Sequence, residues 1–345
     1  MKILLDDTSH PNSLFPFGAV RSVAHARIGI LSVFEKWNFY FPGQVRIASE
    51  KVAGDNDDSQ VKFPVHIVPS HSFLQRLSTD DEEIIMDESC RAIDRPWQFF
   101  ELNDWAIRQD FEMITAGRVS QKINDTNQVT GLENIFLETG AKVNFSILNA
   151  ENGPIYIGKN AEIMEGSLIR GSFVLGEDAV IKMGTKIYGA TTIGPHCVAG
   201  GEVKNSILMG FSNKAHDGYL GDSVIGKWCN LGAGTNNSNL KNNISPVRVW
   251  SKQNNCFEYA GIKCGLLMGD YSRSAINTSF NTGTVVGVCC SIFGNSFPPK
   301  FIDSFTWGNE KYNFEKALSD INNWKKLKGE EITEAEIQSL KNIYH

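Results

Sequence analysis

Residues 157–200 read IGKNAEIMEGSLIRGSFVLGEDAVIKMGTKIYGATTIGPHCVAG. Ile157, Ile163, Ile169, Leu175, Ile181, Ile187, Ile193 and Ala199 stand six apart without a break. Gly follows at Gly158, Gly176 and Gly194, and a small residue recurs four places on, at Ala161, Ser167, Ala179, Thr185, Thr191 and Cys197. A six-residue period suits neither a 3.6-residue helix nor one long alternating strand. It suits a parallel β-helix, in which each hexad makes a short strand and a corner and three hexads close one coil. Every sixth side chain then points into a narrow core.

The period resumes at Ile225-Gly226 and Leu231-Gly232, then shifts phase to Ile262, Met268, Ser274, Phe280, Val286 and Ile292. The breaks, residues 205–219 and 237–261, read as loops thrown out from solenoid corners, where polar site residues gather. A degenerate first coil is expected near Leu132–Phe145. Residues 1–130 read as a small α/β unit: a strand over Met1–Leu5, a helix over Arg27–Phe41, a polar loop over 50–60, a strand over Val61–Val68 and helix over Pro96–Arg118. Ala116–Thr130 reads as a linker. In the tail, Thr333 and Glu336 have capping-box spacing before Ile337 and Leu340, which predicts a short closing helix. The expected units are 1–130, 131–300 and a tail from 301 to 345.

The chain has 345 residues, 41% hydrophobic and 21% charged, enough to bury a core. Its 33 Lys+Arg against 39 Asp+Glu leave a net charge of −6, which argues against a general nucleic-acid or membrane-surface binder. No apolar run reaches the ~20 residues of a membrane span. Asp6-Asp7 follow Met1–Leu5 too soon for a signal-peptide core, so a cytoplasmic protein is expected. The seven cysteines form no C-x-x-C pair and read as reduced thiols.

Three groups carry candidate chemistry. Lys186 and Lys204 are 18 apart, one ideal coil, so they are expected to stack at about the ~4.8 Å strand spacing. Two ammonium groups so close suit an anion between them, with a solvated surface pair as the alternative. His216 lies in the first break, where an imidazole can act as a general base; taken alone it reads first as a structural or surface residue. Gly232-Ala233-Gly234 offers backbone amides with little obstruction, suited to a developing oxyanion.

These hexads, with Gly201-Glu202-Val203-Lys204, Lys214-Ala215-His216-Asp217-Gly218-Tyr219-Leu220-Gly221-Asp222 and Asn230-Leu231-Gly232-Ala233-Gly234-Thr235, resemble the acetyltransferase half of the bifunctional UDP-N-acetylglucosamine pyrophosphorylase/glucosamine-1-phosphate N-acetyltransferase family. Asn236–Asn243 look typical of a divergent bacterial branch, labelled putative sugar nucleotidyltransferases. The resemblance covers most of residues 130–300 and implies a left-handed β-helix and an acetyl-CoA-dependent N-acetyltransferase of nucleotide-sugar and cell-envelope polysaccharide synthesis. It implies His216 as general base, Lys186 and Lys204 on the sugar phosphate, Tyr219, Asn230 and Asn239 on the amino sugar, and Ala233, between Gly232 and Gly234, at the acetyl group. It also implies a homotrimer with acetyl-CoA between coils of two subunits. The family's Tyr after the Asn matching Asn239 is Leu240 here, which leaves the sugar open.

The first 130 residues resemble a shortened nucleotidyltransferase domain. Its glycine loop, which would cradle a triphosphate, is replaced by Leu4-Leu5-Asp6-Asp7-Thr8-Ser9-His10. Arg21 and Lys36 stand as candidate remnants of nucleotide-binding groups. Asn103 is a candidate Mg²⁺ ligand, the metal being implied only if this domain is active, and Asp6 and Asp7 read as loop residues. The alternatives are a sugar-1-phosphate nucleotidyltransferase using UTP or dTTP, and a non-catalytic sugar-nucleotide-binding protein. A β-helix carbonic anhydrase needs three His ligands, and only His196 and His216 lie in the helix.

Overall fold

The computed structural model describes residues 1–8, 12–50, 60–79 and 88–345. Ser9, His10 and all but the ends of the expected 50–60 loop lie outside the described residues. Residues 128–307 wind into the expected parallel β-helix of left-handed hexapeptide type, with three sheets of six, nine and ten strands, the tenth strand of the last being an antiparallel addition at Glu310–Lys311. The six-stranded sheet runs from Gln128–Thr130 to Tyr219–Gly221. The winding thus starts within the expected linker, because Gln128–Thr130 already pairs with Ile147–Asn149.

The hexad residues do what their period requires. Ile157, Ile163, Ile169, Leu175, Ile181, Ile187, Ile193 and Ala199 are all buried in one core cluster. Coils of 18 residues put Ile163 against Ile181 and Ile181 against Ala199. Corners at Asn160, Asp178 and His196 have φ of 54–56°, a left-handed conformation that Asn, Asp and His tolerate better than branched residues. After the second break Met268, Ser274, Phe280, Val286 and Ile292 are again inward and buried, whereas Ile262, beside Gly261 at φ 71°, is half exposed.

The coil length then changes. Residues 182–185 make a four-residue corner before Lys186, but Gly200-Gly201 alone make the next one before Glu202. Gly201 has φ 74°, and a Cβ there would lie 3.0 Å from the His216 carbonyl oxygen. This tight corner shortens the coil by two residues and shifts everything after it.

The nine-stranded sheet is apolar on both faces. Leu208, Ile225, Met268 and Val286 point into the β-helix. Ile207, Met209, Val224, Leu267 and Val285 point outward into a second core shared with the N-terminal residues Phe15, Phe17, Trp37 and Phe99. Doubly buried parallel strands read as continuous apolar runs, as in Ile207-Leu208-Met209. In that N-terminal part Lys2–Asp6 is the centre of a three-stranded parallel sheet between Val45–Ile47 and Gln60–Pro64.

The helix expected over Arg27–Phe41 is shorter, Val33–Tyr40. Gly29 at φ 76° turns Arg27–Ile28 back against Leu31–Ser32, and a Ser32–Glu35 capping box starts the helix. The tail forms helices Phe314–Lys326 and Glu334–Tyr344, the second opened by the expected Thr333–Glu336 capping box. Cys197, Cys229, Cys264, Cys289 and Cys290 are buried free thiols. Among the described residues no helix is long and apolar enough to cross a membrane.

Candidate functional site

The expected first break, residues 205–219, is not a loop: Ile207–Gly210 and Asn213–Lys214 continue the nine- and ten-stranded sheets, and a short corner, residues 215–218, leads from Asn213–Lys214 to Tyr219–Gly221 on the six-stranded one. It rests on Gly200-Gly201 in the coil on one side, where any side chain at Gly201 would meet His216 and Asp217. On the other side lies the corner Gly232–Gly234, whose Gly234 amide donates to the Asp217 carbonyl at 3.1 Å. His216 and Ala233 therefore occupy neighbouring coils. The His216 ring is exposed and has no hydrogen-bond partner among the described residues. The buried Lys214 ammonium donates to the His216 carbonyl at 2.6 Å and to the Gly200 carbonyl at 3.1 Å.

Of the three amides expected to be open, two are taken by the winding itself. Gly232 donates to the Ser274 carbonyl at 3.1 Å and Gly234 to Asp217. Only the Ala233 amide has no partner among the described residues, so the triple cradle contracts to one donor.

The adjoining sheet face is polar and linked. Tyr188 donates to Glu202 at 2.6 Å, and that bond with partial burial pushes its phenol up to about 12. Lys204 lies 3.7 Å from Asp222. The Asn239 amide donates to the Tyr219 oxygen at 3.1 Å and to Asp222. Burial, with Asp222 nearby, pushes the Tyr219 phenol up to about 12. Asn237 continues the sheet edge with its side chain, accepting from the Gly221 amide at 2.9 Å and donating to the Gly221 carbonyl at 3.0 Å.

Two sequence expectations change here. Lys186 pairs with Glu202, and Lys204 with Tyr188. The two lysines share a face but sit diagonally, because the Gly200-Gly201 corner removes two residues from the coil; they do not stack. Tyr219 and Asn239 do meet. Asn230 lies instead on the ten-stranded sheet, between Asn213 and Arg273, since Leu231 takes the inward position and turns Asn230 outward on the far side of the corner. That face lies under the tail, where Lys328 bonds Asn213 at 3.2 Å and the Arg273 guanidinium sits 5.1 Å from the Trp324 ring centre. Leu240 makes a bridge to Lys263. Sequence reading missed Tyr188, Glu202 and Asp222; the alternation that sets Glu202 on the same face as Lys204 was the available signal.

The three N-terminal candidates are structural. Lys36 is buried and paired with Asp110, and burial pulls its ammonium down. It has no access to a phosphate. Asn103 is buried, accepting from the Gly29 amide at 2.8 Å and donating to the Ala190 carbonyl at 3.0 Å and Thr192 at 3.1 Å. Both ends of its amide are spent joining the N-terminal unit to the β-helix, so it is no metal ligand. Arg21 lies 3.3 Å from Asp270 and 3.2 Å from the Tyr271 hydroxyl, so its charge ties the chain's start to the solenoid. Asp7 accepts from the Ser49 amide at 3.0 Å, and Asp6 from the Thr8 amide at 3.0 Å, as loop-ordering groups do. Asp6, Asp7, Arg21, His66 and Glu336 line a cleft of about 740 Å³ between this sheet and the tail.

Known proteins resemble the chain over parts of its length. The Bifunctional protein GlmU of Methanococcus vannielii is 27% identical over 226 residues, covering 65% of this chain and 48% of the relative. A bifunctional sugar-1-phosphate nucleotidylyltransferase/acetyltransferase of Sulfurisphaera tokodaii is 28% identical over 207 residues, 58% of this chain and 44% of the relative. The Bifunctional protein GlmU of Methanocaldococcus jannaschii is 37% identical over 106 residues, 31% of this chain and 26% of the relative. The chain thus spans less than half the length of these relatives. A hexapeptide transferase family protein from Anaplasma phagocytophilum is 15% identical and covers 63% of this chain and 86% of its own, at a TM-score of 0.17. The fold is read from the pairing of the rungs themselves. No protein-family model matches the chain.

Proposed function

We propose that this chain is an acetyl-CoA-dependent N-acetyltransferase acting on an amino-sugar phosphate such as glucosamine 1-phosphate, a member of a divergent branch of the bifunctional family it resembles. The observation that carries the reading is the juxtaposition of His216 with the unpartnered Ala233 amide in the next coil. A base and an oxyanion donor on neighbouring rungs are the two groups acyl transfer to an amine requires.

In this mechanism the His216 imidazole takes a proton from the sugar ammonium, which frees its lone pair. The amine nitrogen bonds to the thioester carbonyl carbon, and the Ala233 amide donates to the oxygen as it gains charge. The carbon–sulfur bond then breaks, the nitrogen gives up its second proton as the amide forms, and the departing CoA thiolate takes that proton up. Tyr219 and Asn239 hold the sugar. Lys186, exposed, and Lys204, which would exchange part of its hold on Asp222, meet the phosphate from diagonal positions. Exposed Phe145, Ile147 and Leu168 around the six-stranded sheet support the homotrimer in which acetyl-CoA would lie between coils. Mg²⁺ has no role in this reading, and nucleotidyl transfer is not part of it, since Lys36 and Asn103 are committed to the fold.

A thermal-shift panel of acetyl-CoA, UTP, dTTP and hexose phosphates tests the ligand class. A ligand at a hundred times its Kd stabilises by about 2.7 kcal/mol. Shifts with acetyl-CoA and with the amino-sugar phosphate are expected. A shift with UTP or dTTP alone would overturn the reading in favour of nucleotide binding.

A further inference from the structure

We infer that Lys214 is a positioning residue for His216, a buried ammonium that ties the corner carrying the candidate base to the coil beneath it. The inference rests on the acetyltransferase reading for its catalytic part and on geometry alone for the tie.

On the ten-stranded sheet the inward column runs Ile163, Ile181, Ala199, Lys214, Leu231, Ser274. Lys214 stands where the column calls for an aliphatic residue, and it is buried, at 2% exposed. Its small neighbour Ala199 leaves room for a long side chain to fold along the core. The ammonium emerges at the corner and donates to the carbonyls of His216 and Gly200. No carboxylate forms an ion pair with it among the described residues. Burial pulls it down to about 8, and Asp217 offsets part of that.

A charge in such a column costs stability. Replacing buried ionic groups with apolar ones of similar volume is often neutral or stabilising, so packing alone does not account for a lysine here. What the charge does is specific. It clamps the carbonyl of His216 itself onto Gly200, across a tight Gly200-Gly201 corner where any added side chain would collide with residues 215–218. On the other side of the corner, among the described residues, the Gly234 amide donates to the Asp217 carbonyl. Lys214 is thus the side-chain contact that fixes the height of the His216 backbone relative to Ala233. A misplacement of about 1 Å at a reacting group can cost roughly 10²-fold in rate.

The test uses the full chain with Lys214→Met, which keeps an unbranched stem in the column, and Lys214→Gln, which retains a shorter donor. Amide hydrogen exchange at Glu202 and Gly234, whose amides donate to the Gly218 and Asp217 carbonyls of the corner, is expected to rise at least about tenfold in Lys214→Met, as loss of a hydrogen bond to a charged group implies. Protection over 229–231 should stay unchanged, and the melting temperature should stay level or rise. The kcat for acetyl transfer should fall about 10–100-fold with little change in the KM for acetyl-CoA, and Lys214→Gln should lie between. In a His216→Ala background, Lys214→Met should cost nothing further, because it acts through His216. Unchanged exchange at Glu202 and Gly234 in both variants would overturn the tie whatever the chain's activity. An equal loss of kcat in both backgrounds would overturn the action through His216. Raised exchange in a chain whose wild type transfers no acetyl group would leave the tie and overturn its catalytic part together with the proposed function.

Discussion

Asp110→Ala should be among the most damaging single substitutions in the N-terminal unit. Asp110 and Lys36 are each 2% exposed. The carboxylate takes the Lys36 ammonium on both oxygens and also accepts from the Ile30 amide at 2.8 Å and the Leu31 amide at 3.0 Å. One side chain thus satisfies a buried charge, the turn at Gly29 and the approach to helix Val33–Tyr40. Removing one partner of a buried pair costs about 3–5 kcal/mol, because the other charge is left uncompensated. The two stranded amides share the vacated space, so a total near about 4 kcal/mol is expected rather than a sum of separate penalties. Urea denaturation followed by fluorescence and by circular dichroism gives the number. The double variant Lys36→Met/Asp110→Leu, which removes both charges, should lose clearly less than Asp110→Ala alone. A loss under about 1 kcal/mol for Asp110→Ala, or a double variant no better than the single, would refute the buried pair and return Lys36 to the candidates for phosphate binding.

Glu336 provides a pH test of tail docking. Burial alone would raise its carboxyl, but Lys325, the Tyr271 hydroxyl and the Thr333 amide outweigh it and hold the group at about 2. The folded value lies below the unfolded one of about 4.3, so its contribution, about 1–2 kcal/mol once its partial exposure to solvent is allowed for, is present above that value and lost as pH falls towards about 2. Glu336→Gln should lower the melting temperature at pH 7 and flatten its decline between pH 5 and 3; an unchanged decline would place the titrating group elsewhere. Replacing Lys204 by Met should weaken the sugar phosphate by about 1.5–3 kcal/mol and leave acetyl-CoA unaffected in calorimetric titration, while equal weakening of the unphosphorylated sugar would remove the phosphate role. A chain starting near residue 130 should aggregate, because Ile207, Met209, Val224, Leu267 and Val285 would lose their cover; a monodisperse, folded fragment by light scattering would show that the solenoid is self-sufficient.

Hexads alone would suggest a self-sufficient β-helix, and the shared core is the reason the opposite outcome is predicted. Inward positions declare themselves by period, but outward ones such as Ile207 and Met209 have no period of their own. Their signal was the continuous apolar run, which marks a strand buried on both faces. The capping box at Thr333 was legible because it is local, and so was the one at Ser32, overlooked under a longer helical pattern. The site corner was legible only as part of a longer break in the hexads, because two strands within that break, Ile207–Gly210 and Asn213–Lys214, lie in shortened coils that a six-residue count does not follow. The relation between Lys186 and Lys204 was not, because counting by 18 assumes constant coils and two glycines at 200–201 made one shorter. Lys36, Asn103 and Arg21 were misleading for a common reason. Each finds its partner far along the chain, in Asp110, Ala190 and Asp270, and no spacing rule announces such pairs.

The central claim is that His216 and Ala233 form an acyl-transfer site. Its most direct test is acetyl-CoA with glucosamine 1-phosphate and a panel of other amino-sugar phosphates, followed by mass spectrometry of the sugar and by thiol release. The wild-type chain should add one acetyl group to an amino-sugar phosphate with stoichiometric free CoA, and His216→Ala should lose about 10²–10⁴ of that rate while keeping its melting temperature. Acetylation at the wild-type rate by His216→Ala, or no acetylated sugar from the wild type across the panel, would contradict the account.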